Sequence, residues 1–128
     1  MRVTADEATT TYAEARAELL SRPGAPGAAK RRALTALTDD WLHALYVAAG
    51  AGEIGAALVA VGGYGRGDLA PGSDLDLLLL HSPAVSASDV TAVADRLWYP
   101  VWDAGLKLDH SVRVPAEARR LAAQDIKV

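Results

Sequence analysis

Residues Leu58 to Leu80 read Leu-Val-Ala-Val-Gly-Gly-Tyr-Gly-Arg-Gly-Asp-Leu-Ala-Pro-Gly-Ser-Asp-Leu-Asp-Leu-Leu-Leu-Leu. The pattern predicts a short apolar strand, a glycine-rich turn, and a second strand that carries two carboxylates near its start. Asp74 and Asp76 alternate, so on an extended chain both side chains leave the same face, with α-carbons roughly 6.5 Å apart. Carboxylates converging to about 4 Å repel by about 4 kcal/mol at an effective dielectric near ~20. A divalent cation turns that repulsion into attraction, and hard oxygen ligands suit Mg²⁺. Leu77 to Leu80 are expected to bury the strand, which sets the acids on a rigid element.

The glycines before it supply the other half of a site. Gly62, Gly63, Gly65 and Gly67 allow a turn whose backbone N–H groups cradle phosphate oxygens. Arg66 offers a charge-assisted contact and Ser73 a hydroxyl beside the acids. Together these residues describe a site for a nucleoside triphosphate with Mg²⁺. No Gly-Lys-Ser/Thr follows the turn, so the Walker pattern is absent. The dinucleotide pattern fails too, because a strand rather than a helix comes next. The bland reading is a glycine turn joining two strands, with acids blunting a sheet edge. Four glycines in six residues followed by Ser and two alternating acids weigh against it.

The string Gly62-Gly63-Tyr64-Gly65-Arg66-Gly67, followed by Pro71, Ser73, Asp74 and Asp76, resembles the signature of the polymerase-β-like nucleotidyltransferases. Within them it is most similar to the bacterial uridylyltransferases that modify the PII signal protein. Trp102-Asp103-Ala104-Gly105-Leu106 and His110-Ser111-Val112-Arg113 are similar to the same group, so the resemblance covers Leu58 to about Arg113. It implies a nucleotidyltransferase that moves UMP from UTP to a tyrosine of PII, with Mg²⁺ and release of pyrophosphate. It also implies a third metal-binding carboxylate on a neighbouring strand, for which Asp109 is the candidate beside Asp74 and Asp76. Gly62, Gly63, Gly65, Arg66, Gly67 and Ser73 would bind the nucleotide. His110 is expected to pack beneath the site, and Arg113 to neutralise a phosphate or pair with an aspartate. ATP is the second candidate donor, since nothing in these residues selects uracil over adenine. Transfer to a small molecule or RNA stays open as a rival function, as does a non-catalytic nucleotide-binding module. The resembled enzymes continue into phosphohydrolase and small-molecule-sensing domains, before which this chain is expected to stop.

Length and composition fit that reading. The 128 residues suit one domain, and 51% hydrophobic content suits a sizeable core. The net charge of −3, with no Lys/Arg stripe, argues against a duplex nucleic-acid partner. Cysteine is absent, which excludes disulfides and thiolate zinc sites. Neither a membrane-length apolar run nor a secretory leader is visible, and a cytoplasmic protein is expected.

The expected fold is a mixed α/β core (56–128), a small sheet with helices mainly on one face, preceded by a helical segment (1–55). A first helix spans Met1 to Leu20 with Thr4 or Asp6 as cap, and Ser21 to Gly27 ends it. A second runs from Ala28 to Ala49 with Leu34, Leu37, Trp41, Leu42, Leu45 and Tyr46 on one stripe. Gly50 to Gly55 reads as a loop and Ala56 to Val61 as the first strand. A third helix runs from Ser88, its proposed cap, to Ala104, with Val90, Val93, Ala94, Leu97, Trp98 and Val101 inward. Pro100 is expected to kink or split it, and Gly105 to stop it. Leu106 to Val114 reads as a strand, with Leu106, Leu108, His110 and Val112 on one face and Lys107, Asp109, Ser111 and Arg113 on the other. A last helix, from Ala116 to Gln124, follows Pro115.

Overall fold

The computed structural model describes residues 3–23, 27–62 and 74–125, with side chains as far as Arg120. The first helix, α1 (Ala5–Ser21), starts at Thr4, whose extended backbone turns its hydroxyl onto the Glu7 N–H at 3.1 Å. That satisfies one of the orphan donors of a helix start. Helix α2 (Gly27–Ala49) buries Leu34, Thr38, Trp41, Leu42, Leu45 and Ala49, a stripe at spacings of three and four. Leu37 and Tyr46 flank that stripe and are only half-buried.

One aromatic pair joins the two helices. Tyr12 and Trp41 stack with ring centroids 4.1 Å apart and planes 6° from parallel. Thr38 donates its hydroxyl proton to the Leu34 carbonyl, so the Tyr12 hydroxyl is the donor in its 2.9 Å bond to Thr38 Oγ1. The Trp41 indole N–H donates to Thr9 Oγ1 at 3.1 Å. Every polar atom of this joint has a partner, as burial demands.

The expected loop after α2 contains a 3₁₀ turn (Ala51–Ile54), closed by Glu53 N–H to Gly50 O and Gly55 N–H to Gly52 O. A segment this short closes three-residue rings more readily than a full α-turn. Strands β1 (Ala57–Ala60), β2 (Leu75–Leu80) and β3 (Leu108–Arg113) form one sheet in the order β1-β2-β3. β1 pairs antiparallel with β2, and β3 parallel with β2. Helix α3 (Ala87–Asp103) supplies the crossover that a parallel pair needs.

Helices α2 and α3 share one hydrophobic core with the Leu75, Leu77 and Leu79 face of β2. The other face carries Asp76, Leu78 and Leu80, all half-buried. Burial of the whole Leu77 to Leu80 run is therefore corrected to alternation, because the core covers a single face.

All six residues expected on the inward side of α3, from Val90 to Val101, are buried. Its cap is Ser86 rather than Ser88, with Ser86 Oγ accepting the Asp89 N–H at 3.2 Å. Pro100 does not split the helix, which runs as one element to Asp103. A proline this near the end withholds an N–H from one carbonyl only, and the last turn closes regardless. Gly105, at φ 80°, donates to Trp102 O while Leu106 donates to Val101 O, the paired bonds of a Schellman stop. Engaging Leu106 in that stop delays β3 until Leu108. Helix α4 (Pro115–Asp125) closes the order, with Glu117 Oε1 accepting the Val114 N–H at 3.1 Å. Among the described residues no helix is long and apolar enough to cross a membrane.

Candidate active site

The face of the sheet opposite the core carries the acids. Asp76 is the second residue of β2 and half-buried. Its register partner on β3 is Asp109, so the two carboxylates stand side by side on adjacent strands, whose spacing is about 4.8 Å. Asp74 lies just before β2, exposed, two residues back along the same alternation. Asp76 has its pKa raised above the ordinary carboxylate value, first by desolvation and then by the negative charges of Asp109 and Asp74. The acids therefore act on one another electrostatically, although they come from two strands separated by a helix. Asp76 and Asp109 are thus neighbours in register, with Asp74 further back along the same alternation.

The start of the turn closes in from the other side. The Val61 N–H donates to the Asp76 carbonyl at 3.0 Å, extending the β1 ladder by one residue. Gly62 follows with φ 65°, and a Cβ there would run into Asp76 Oδ2. The carboxylate is seated against bare backbone. Gly63, Gly65, Arg66, Gly67 and Ser73 lie outside the described residues, as do Tyr64 and Pro71.

Among the described residues no three His, Asp or Glu side chains are drawn into a ready-made metal cage. The donor set nevertheless suits a hard cation: oxygen-only, acceptor-only, and mutually repelling in its absence. Arg113 does not pair with these aspartates among the described residues. It is the register partner of Leu80, four residues along the strand from Asp109 or about 13 Å, and donates to the Val112 carbonyl.

His110 does pack beneath this face. Its ring stacks on Trp98 at 5.1 Å and meets the edge of Trp102 at 5.2 Å. Sequence reading placed His110 on the inward side of β3 but missed the two tryptophans that hold it. Their i, i+4 spacing on α3 was the available signal. Two hollows among the described residues lie elsewhere, one between α2 and β1 beside His43, the other around Thr4, Arg96 and Tyr99. Neither contains any of the three carboxylates.

Comparison with known proteins gives the family. Residues 49–127 match the nucleotidyltransferase domain family. The chain is 58% identical over 117 residues to a bifunctional uridylyltransferase/uridylyl-removing enzyme of Streptomyces coelicolor, covering 91% of this chain and 14% of that protein. It is 44% identical over 127 residues to a protein of the same name from Mycobacterium tuberculosis, covering 93% and 15%. A Burkholderia orbicola protein of that name is 42% identical over 119 residues, covering 91% and 14%. The chain thus spans about a seventh of the length of these curated relatives. No solved structure matches it. A strand carboxylate seated against a glycine, a second acid in register beside it and the family match lead to one assignment: the chain belongs to the nucleotidyltransferase domain family.

Proposed function

We propose that this domain carries the uridylyl-transfer activity of a larger enzyme, moving UMP from UTP to a tyrosine of a PII signal protein. The observation that carries the reading is the register of Asp76 against Asp109, with Asp74 on the same face. Its support in the comparisons is that the relatives are named uridylyltransferases. The catalytic unit in this reading is residues 56–128, with 1–55 as helical support. A cytoplasmic location goes with it, since nucleoside triphosphates are found there.

In the reaction the tyrosine oxygen attacks the α-phosphorus of UTP, the α–β phosphoanhydride bond breaks, pyrophosphate leaves, and the hydroxyl proton passes to solvent. Asp74, Asp76 and Asp109 would hold Mg²⁺, which when bound polarises the attacking hydroxyl and screens charge on the triphosphate. Gly62, Gly63, Gly65 and Gly67 would offer backbone N–H groups to the β- and γ-phosphates, joined by Arg66 and the Ser73 hydroxyl. Those donors stabilise the charge that grows on departing pyrophosphate. Seated on a strand, Asp76 needs little reorganisation when substrate arrives, which is the main advantage of a sheet-borne site.

The test is nucleotide transfer by the full-length protein to PII, with UTP and ATP in parallel, repeated with Asp74→Asn. UTP-dependent labelling that disappears in the variant supports the proposal. Labelling from ATP would keep the chemistry and change the donor. Label on an aminoglycoside but not on PII would replace the acceptor. Tight UTP binding without transfer or Mg²⁺ dependence would instead indicate a binding module.

A further inference from the structure

We propose that His110 is a positioning residue for Asp109, gripped by Trp98 and Trp102 so that β3 keeps the register that sets Asp109 beside Asp76. The proposal rests on the reading of Asp109 as the third carboxylate of the site.

Among the described residues β3 lies at one edge of the sheet and pairs with β2 alone. No residue of β3 is fully buried: Leu108, Ser111, Val112 and Arg113 are half-covered, and Asp109 and His110 are exposed. Leu108 and Val112 pack against the core but are only partly buried, so apolar burial specifies this strand less firmly than it does β2, whereas a slip of one residue would turn Asp109 to the opposite face. Directional contacts add to what this partial burial and the ladder with β2 supply.

His110 supplies them. It sits immediately after Asp109 in sequence and opposite Leu77 in the ladder. On the helix side, Trp98 and Trp102 stand four residues apart on one face of α3. Trp98 is 3% exposed and anchored in the core, and its plane lies 24° from that of His110. Trp102, 41% exposed, presents itself at 68°, so the imidazole is held face-on by one indole and edge-on by the other. Two rings at different angles fix both height and rotation, which a single stack leaves free. The clamp ties the middle of β3 to α3, and the neighbouring residue is the carboxylate.

The test uses the full-length protein with His110→Ala and His110→Phe, the latter keeping an aromatic ring in the clamp. In the metal-free protein, His110→Ala is expected to speed hydrogen exchange of the β3 amides, residues 108–113, and His110→Phe to leave it near wild type. The Mg²⁺ concentration for half-maximal UMP transfer is expected to rise about tenfold in His110→Ala, the loss typical when a supporting contact is removed, and to return with His110→Phe. Where His110→Ala does not accumulate folded, Trp102→Leu replaces it, with a shift in the same direction expected. Unchanged exchange and Mg²⁺ requirement in the alanine or leucine variant would overturn the proposal. So would a phenylalanine variant as impaired as alanine, since ring nitrogens and not stacking would then matter. Full activity of Asp109→Asn would sink the underlying third-carboxylate reading. A defective Asp109→Asn beside a normal His110→Ala would remove only the clamp.

Discussion

The carboxylate of Asp76 lies directly against the backbone of Gly62, in space that a Cβ at that position would occupy. Gly62 also takes φ 65°, a region that costs an L-residue about 1–2 kcal/mol. The glycine is thus required twice over, by its own conformation and by its neighbour.

Gly62→Ala separates those two effects. The backbone term is expected to lower stability by about 1–2 kcal/mol, while the added methyl displaces the Asp76 carboxyl. A displacement near 1 Å in a reacting constellation costs roughly a hundredfold in rate. The expected outcome is a folded variant with transfer down about two orders of magnitude. Near-normal transfer in a variant of reduced melting temperature would show that the close approach has no bearing on the reaction.

The raised pKa of Asp76 gives a pH dependence with a definite sign. Its unfolded value is about 3.8, and burial together with Asp109 and Asp74 lifts the folded value above that. The folded protein then holds the proton more tightly, so metal-free stability falls as pH rises between the two values and stays lowered above them. Asp76→Asn is expected to raise the melting temperature at neutral pH in chelator, and this gain should vanish below the unfolded pKa. In the same variant transfer is expected to be abolished. Stabilisation with loss of activity points to a functional acid; a variant less stable at neutral pH would contradict the electrostatic account.

Much of this was legible because periodicity reports burial. The α3 stripe from Val90 to Val101 follows from helical spacing, and the alternation of Asp74 with Asp76 follows from strand spacing. Asp109 was assigned to the polar face of its strand by the same parity. That β3 would neighbour β2 was implied only by the resemblance, and its register was not legible, since parallel pairing is decided by α3 crossing the sheet. The same holds for Gly62 and Asp76, fourteen positions apart yet touching. Leu78 and Leu80 misled because four consecutive leucines look the same whether one face or two is covered.

The cap of α3 shows how local such errors can be. Ser86 and Ser88 both stand near the start, and only the observed bond from the Asp89 N–H selects Ser86. Ser86→Ala is expected to cost about 1 kcal/mol, and Ser88→Ala only a few tenths. Urea melts of the two variants decide this. Equal losses would mean that the cap is shared.

The Tyr12–Trp41 joint sets how firmly α1 holds to the rest. Tyr12→Phe keeps the stack and removes a single hydroxyl, while Thr38 retains its bond to the Leu34 carbonyl, so no buried donor is stranded. About 0.5–1.5 kcal/mol of destabilisation is therefore expected. Tyr12→Ala removes the ring, leaves one face of Trp41 bare and is expected to cost about 3–5 kcal/mol, as for other buried aromatics. Because Tyr12 and Ala8 are the only fully buried residues of α1 among those described, most of that loss should appear as detachment of the helix. Hydrogen exchange would then show faster exchange in residues 5–21, with the sheet amides protected as before. Uniform loss of protection across the sheet would show instead that α1 is integral to the core that supports the carboxylates.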